Sequence, residues 1–159
     1  MSQKTLSTML KAIIIGVAAC CVLVYTWIVP EIGWGVAGGA PEFAHLYTPW
    51  LIIIFVTAIP VAGILVLAWI ISSNIGHDKS FSQENAKLLK WVSLLAGIDA
   101  LYFFIANIVM CLLRASHPGL VILALLSCFV AVCVSVAAAV LSHLVYKAAK
   151  LQTQSDLTI

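Results

Sequence analysis

The sequence predicts an all-α membrane protein, a four-transmembrane-helix bundle with both termini in the cytoplasm. Three observations carry this expectation. Four apolar runs each meet or approach the roughly 20 residues that a helix needs to cross about 30 Å of hydrocarbon. Hydrophobic residues make up 64% of the 159-residue chain and charged residues 9%, against about 25% charged in a soluble domain. Seven of the eight lysines and arginines fall on one side of the four runs.

The first run covers residues 12–29. Lys4 and Lys11 ahead of it give it the look of a signal peptide, and Val17-Ala18-Ala19-Cys20 resembles a lipoprotein cleavage site. The chain stays apolar to Val29, however, where a processed lipoprotein turns polar, and Gly38-Gly39-Ala40 is followed by Pro41. The run is therefore expected to remain as a membrane helix. The segment 31–49 is glycine-rich (Gly33, Gly35, Gly38, Gly39) and carries Glu42 and His45, which predicts an irregular, mobile outer loop.

The second run covers residues 50–71 and contains Pro60, which should bend the helix and free a backbone carbonyl. The third run covers 91–113. It is preceded by a helix start in which Ser82 is the N-cap, Glu84 lies in the first turn and Phe81 can staple back onto the helix. Helix three should thus begin near Gln83, outside the membrane core. The fourth run covers 120–146 and should continue as helix to about Lys150. The short connection Arg114-Ala115-Ser116-His117-Pro118-Gly119 makes helices three and four an antiparallel hairpin, extending into the cytoplasm as a basic stub. The remainder, 147–159, reads as a cytoplasmic tail of a single membrane domain spanning 1–159. It ends either as a frayed terminus or as a short recognition element for a cytoplasmic partner.

Orientation follows from the basic residues. Lys4, Lys11, Lys79, Lys87, Lys90, Lys147 and Lys150 lie on one side and Arg114 on the other. Trp27, Trp34, Tyr47 and Trp50 then form an outer aromatic belt, and Trp69, Trp91 and Tyr146 an inner one.

Asp99 is the residue most open to a chemical reading. It lies near the middle of the third run, nine residues or about 13 Å from Lys90. A carboxylate at that depth costs at least about 2.5 kcal/mol, so it should face the bundle. Comparable depth falls near Ser135 to Ala138 on helix four, Cys20 and Cys21 on helix one, and Ala62 and Gly63 on helix two, just after Pro60. The small residues Ser127, Ala131, Ser135, Ala138 and Ser142 form a stripe for close helix approach. The expectation is a polar layer of Asp99 and Ser135 beside Pro60 and Gly63. Asp99 is then either a protonatable switch or ion site, or a protonated acid bonded to Ser135 that fixes helix register. Asn107 reads as a helix–helix contact.

Other chemistries find little support. The five cysteines (Cys20, Cys21, Cys111, Cys128, Cys133) sit in apolar runs without metal-ligand or CxxC spacing, and read as packing residues. His45, His77 and His117 fall in loops and His143 near the end of helix four, so no haem pair forms. Neither a nucleophile–base pair nor a phosphate loop is present. The chain is expected to be no enzyme and to hold no cofactor or metal. No basic stripe indicates direct nucleic-acid binding.

Two segments carry a family resemblance. Phe81-Ser82-Gln83-Glu84-Asn85 resembles the Phe-Ser-x-Glu-Asn element before the third membrane helix of the YoaS-like family of small bacterial membrane proteins, whose domain is of unknown function. Asp156-Leu157-Thr158-Ile159 resembles that family's ending, departing from it just before, at Gln154-Ser155. The resemblance implies a bacterial plasma-membrane protein, often encoded beside a Cro-type helix-turn-helix regulator, and brings no established activity or catalytic residues. The expected role is a non-enzymatic regulatory or sensory membrane protein, partnered by the bilayer, by such a regulator and, in a homo-oligomer, by further copies of itself. Candidate contact residues are Lys79, Phe81, Glu84, Asn85, Asp156, Leu157, Thr158 and Ile159. The alternatives are a small transporter or channel using Asp99, and an immunity protein against a membrane-active peptide, with the loop 33–45 as its contact.

Overall fold

The computed structural model describes residues 3–39, 41–113 and 118–156, the side chains of 41–43, 155 and 156 excepted. Expectations about Arg114, His117, Glu42, the side chain of Asp156 and Leu157 to Ile159 therefore lie outside the described residues. Those described are helical almost throughout: α1 (Gln3–Leu23), a π-helical turn (Val24–Ile28), α2 (Val29–Gly39), a 3₁₀ turn (Pro41–Leu46), α3 (Tyr47–Gly76), α4 (Gln83–Leu112) and α5 (Pro118–Asp156). Four continuous helical segments are long and apolar enough to cross a membrane: Gln3–Gly39, Ala44–Gly76, Gln83–Leu112 and Pro118–Gln154. With no water at membrane depth, each must satisfy its peptide groups internally, and a helix does so.

The segments pack in chain order. α1 lies against α3, α3 against α4, and α4 against α5, while α5 makes no extended contact with α1 or α3. Mostly small side chains reach the core: Ala86, Ala96, Ala100, Ala124, Cys128, Ala138 and Ala149 are all buried, together with Val92 and Met110. Large apolar side chains such as Ile59, Phe129 and Leu112 point outward. This is the inverse of a soluble protein, and it follows from a solvent as apolar as leucine, in which close backbone approach replaces the hydrophobic effect.

The α4–α5 hairpin shows this most regularly. The Ser142 hydroxyl donates to Ala86 O at 2.7 Å, the Ser135 hydroxyl to Ser93 O at 2.8 Å, and the Cys128 thiol lies 3.8 Å from Ala100 O. Each step is seven residues forward on α4 and seven back on α5, the repeat of an antiparallel coiled coil. The facing stripe thus runs through Cys128, Ser135, Ala138 and Ser142. Ser127 lies off it and donates instead to Leu123 O in its own helix.

Helix ends follow local chemistry. α4 begins at Gln83 because the Ser82 side chain accepts from Asn85 N at 3.1 Å. Phe81, expected to staple, stays 60% exposed. α3 ends with Asp78 at φ 59°, its N–H donating to Ile75 O while Lys79 N–H reaches back to Asn74 O. This is a Schellman cap, with aspartate in the left-handed position usually held by glycine.

Two segments differ from expectation. The glycine-rich stretch after the first run is helix up to Gly39, because a continuing helix keeps its peptide groups bonded where a loop would not. Gly33 there allows close packing: a Cβ would stand 2.6 Å from the Tyr47 ring and 2.8 Å from that of Trp50. α5 also continues past Lys150 to Asp156, so most of the polar tail is helical.

Candidate intramembrane polar site

The site is built around a proline. Pro30 has no N–H to offer the Thr26 carbonyl four residues back, and its ring would crowd that oxygen. The chain relieves this with the π turn at Val24–Ile28, where Val29 N–H bonds to Val24 O, five residues back. The Thr26 hydroxyl donates to Val22 O at 2.7 Å. Tyr25 sits on this turn and faces α3, and its hydroxyl lies 2.8 Å from Thr57 Oγ1. Thr57, buried on α3, donates its own proton to Ile54 O at 2.6 Å. The order of donation is then fixed: Tyr25 Oη to Thr57 Oγ1 to Ile54 O, with each hydroxyl proton committed.

Asp99 joins this layer from α4. It lies within electrostatic reach of Tyr25 on one side and of Cys128 on the other. The α3–α4 register agrees. Asn74 bonds Asn85, and a Cβ on Gly63 would meet Leu95 at 3.2 Å. Four residues further along α4, Asp99 is about level with Pro60. Among the described residues, Asp99 Oδ1 is the one buried side-chain oxygen or nitrogen with no hydrogen-bond partner. An unpaired buried polar group costs about 1–3 kcal/mol. The nearby hydroxyls cannot relieve it, since both their protons are used.

This corrects the expected pairing. Ser135 does not bond Asp99. It donates to Ser93 O and lies 3.4 Å from Ser93 Oγ. The seven-residue register places Asp99 level with Phe129, about one and a half turns from Ser135. The expected depth treated the ends of α4 and α5 as level, but α5 runs further past the lysine-rich end. Pro60 stays within an unbroken α3, and a Cβ on Gly63 would meet the Leu95 side chain at 3.2 Å. Asn107 Nδ2 donates to Phe103 O at 2.7 Å in its own helix.

At the lysine-rich end the polar groups are saturated. Ser7 and Ser72 exchange bonds, each hydroxyl donating to the other's backbone oxygen at 2.7 and 3.0 Å. Asn85, 1% exposed, accepts from Asn74 Nδ2 at 2.8 Å and donates to Lys79 O and Ser80 O at 2.9 and 3.2 Å. Asn85 is therefore a buried clamp and not an available contact residue, while Lys79, Phe81 and Glu84 are exposed. Lys11 Nζ sits 5.3 Å above the Trp69 ring and ties α1 to α3. Among the described residues no group of three His, Cys, Asp or Glu side chains could hold a metal ion.

Tyr25, Thr57, Ser7 and Ser72 were not singled out from the sequence. Thr57 could have been, as a hydroxyl in the middle of an apolar run. Tyr25 could have been, as an aromatic side chain just before Pro30.

The fold and the site together define a four-span helical membrane protein with an aspartate on its third span, one of whose carboxyl oxygens is buried without a hydrogen-bond partner. Its chain belongs to the family described as "Protein of unknown function (DUF2975)", which matches residues 31–159. It is 27% identical over 160 residues to the "Uncharacterized membrane protein YoaS" of Bacillus subtilis (strain 168), covering 99% of this chain and 98% of that protein. No solved structure matches it.

Proposed function

We propose that this chain is a non-enzymatic sensory protein of the bacterial plasma membrane, with both termini cytoplasmic, and that the state of Asp99 sets a conformation read by a cytoplasmic helix-turn-helix regulator. One observation carries the reading: Asp99 Oδ1 is buried without a donor. A carboxyl kept for architecture would be saturated, as Asn85 is. An unsatisfied one holds a free energy of about 1–3 kcal/mol that a proton, a cation or a shift of helices releases. That is enough to move a two-state equilibrium by roughly five- to 150-fold.

The lysines supply the orientation. Lys79, Phe81 and Glu84 form an exposed strip at the lysine-rich end, and α5 extends beyond Tyr146 with Lys147 and Lys150 on it. These surfaces, with the ending Asp156-Leu157-Thr158-Ile159, are where the regulator would dock. The regulator itself is suggested by the gene neighbourhood of the YoaS-like family.

The experiment is co-purification of the neighbouring regulator with the full chain, with Asp99→Asn and with a chain lacking residues 156–159. The expected result is reduced recovery from the truncation and recovery changed severalfold by Asp99→Asn. Equal recovery from all three would remove both the docking element and the switch. The same unsatisfied oxygen also suits a proton or cation site in a small transporter. Uptake into proteoliposomes that is lost in Asp99→Asn, with regulator recovery unchanged, would favour that reading.

A further inference from the structure

The two packed faces of α4 have different partners. Ala86, Ser93, Gly97 and Ala100 form its side of the ladder against α5. The other face meets α3: Asn85 bonds Asn74, Leu95 lies at Gly63, and the Tyr102 hydroxyl donates to Ile53 O at 3.4 Å. Asp99 belongs to this second face. It stands fourteen residues from Asn85, four from Leu95 and three from Tyr102, spacings that keep to one side of a helix. On α3 the same rule selects Val56 and Pro60. Pro60 is seven residues from Ile53 and three from Gly63, and Val56 is one turn before it. The contacts of Leu95 with Gly63 and of Tyr102 with Ile53 bracket the level, so Val56, Thr57 and Pro60 lie opposite Asp99.

Proline marks the backbone here. Pro60 has no N–H, so the Val56 carbonyl four residues back loses its helical donor, on the face turned to α4. At membrane depth no bulk water replaces that donor. The seam thus brings together two groups of one kind: a carbonyl oxygen deprived of its helical donor, and Asp99 Oδ1, buried without a partner. The hydroxyls beside them have spent their protons, Tyr25 on Thr57 and Thr57 on Ile54 O. Acceptors outnumber donors, and one added proton balances the count. Placed on Asp99, it makes the carboxyl a donor with Val56 O as its acceptor. A bare metal cation asks for about six oxygens, more than the carboxyl, Val56 O and the remaining lone pair of Thr57 supply.

We infer that the ligand of Asp99 is a proton, and that the acid form donates a hydrogen bond to the Val56 carbonyl across the α3–α4 seam. Asp99 is here, as in the proposed function on which this assignment rests, the group whose state changes. Loss of the proton to water leaves two acceptors face to face, at the point where α3 lacks a backbone bond and bends most readily. The two helices therefore part at Pro60 in the basic form and close in the acid form. The titratable groups around Asp99 are Tyr25 on α1, with Cys21 beside it, Cys128 on α5 and Tyr102 on its own helix. The facing residues of α3, Val56, Thr57 and Pro60, have no titratable side chain.

The test is infrared difference spectroscopy, acid minus alkaline, on the full chain in phosphatidylethanolamine vesicles, for wild type, Asp99→Asn and Pro60→Ala. Wild type should show a carboxyl C=O band that Asp99→Asn lacks, at the lowered frequency of a hydrogen-bonded acid. Carbonyl-¹³C valine should move a further band of the same spectrum, that of Val56, and Asp99→Asn should abolish it. Pro60→Ala returns an N–H that competes for Val56 O. It should raise the carboxyl band towards that of a free acid and lower its proton affinity about threefold, the worth of one membrane hydrogen bond. If Pro60→Ala does not fold, the valine band of the wild type decides alone. A valine-insensitive spectrum, or a carboxyl band unmoved in folded Pro60→Ala, overturns the inference. A carboxyl band that sodium titrates at fixed pH overturns it in favour of a cation site. The spectra read the bond and not the regulator. A bonded acid with regulator recovery unchanged by Asp99→Asn would remove the sensory role and keep the proton, whereas changed recovery without a bonded acid would do the reverse.

Discussion

Replacing Asn85 with alanine tests what holds the lysine-rich end together. The wild-type side chain is 1% exposed and makes three hydrogen bonds, from Asn74 and to Lys79 O and Ser80 O. Alanine removes all three, at about 1 kcal/mol each. It also strands the Asn74 amide, a part-buried donor whose lost partner adds up to about 1 kcal/mol. The total is a loss of about 3–4 kcal/mol, a large part of a typical domain's stability of roughly 5–15 kcal/mol. The measurement is reversible unfolding in mixed micelles with increasing dodecyl sulfate, followed by circular dichroism, with Glu84→Ala as an exposed control expected within about 0.5 kcal/mol of wild type. A loss below about 1 kcal/mol for Asn85→Ala would refute the clamp and return Asn85 to the exposed contact strip.

Three further outcomes follow from the same structure. Asp99→Leu should leave stability unchanged or raise it by about 1–3 kcal/mol in the same titration, because it removes an unpaired polar group; a loss above about 1 kcal/mol would make Asp99 structural. Gly33→Leu places atoms where Tyr47 and Trp50 already stand, within 2.6–2.8 Å of a Cβ, and should cost about 1–3 kcal/mol with a shift in tryptophan emission; wild-type emission and stability would mean that α2 does not pack on α3 in this way. On the hairpin, Ser135→Ala should cost about 0.6 kcal/mol, the mean for a membrane side-chain bond. Gly97→Leu should cost several times more, since its Cβ would already meet Ser135 Oγ at 3.1 Å, and equal costs would show that close approach does not hold α4 to α5.

The sequence made the four spans readable because lipid leaves a chain few options. An apolar run of spanning length must be helical, and Ser82 marks the start of α4 through an interaction between near neighbours. What depended on register was harder to see. The carboxyl at Asp99 announces itself in any apolar run, but its partners are set by how far α5 slides past α4, and that is decided by which small residues meet. Cys128 and Ala100 serve in this as well as serine, so a stripe drawn through hydroxyls and alanines alone selects Ser127 and misses Cys128. The glycines after Gly33 suggest a loop to a rule learned from water. Gly33 is the place where the Tyr47 and Trp50 rings lie against backbone, whereas a Cβ at Gly35, Gly38 or Gly39 would meet no atom within 4 Å. The π turn was legible only in combination: Pro30 within a long apolar helix demands relief one turn earlier, and Tyr25 lies there.

Along the α4–α5 hairpin the three regions differ in how well their groups are satisfied, and the order has mechanical meaning. At the lysine-rich end the Ser142 bond to Ala86 O holds α5 to α4, while Asn85 holds the start of α4 to α3 and the turn before it. In the middle, Asp99 is held beside hydroxyls whose protons are spent. At the far end the ladder opens into a furrow. Local opening is drawn from regions with few saturated contacts, so motion of α5 against α4 should begin at the furrow and pivot on the Ser142 bond. Among the described residues α5 makes its extended contacts with α4, so little from a third helix resists that pivot. A small change of angle at the furrow passes Cys128 and Asp99 before it reaches that bond, beyond which the length of α5 past Ser142 turns rotation into displacement. Relief of the Asp99 oxygen in only one of the two hairpin angles would bias the movement, so Ser142→Ala, which removes the bond to Ala86 O, should weaken the pivot and uncouple Asp99 from the far end of α5 even where the helices remain folded.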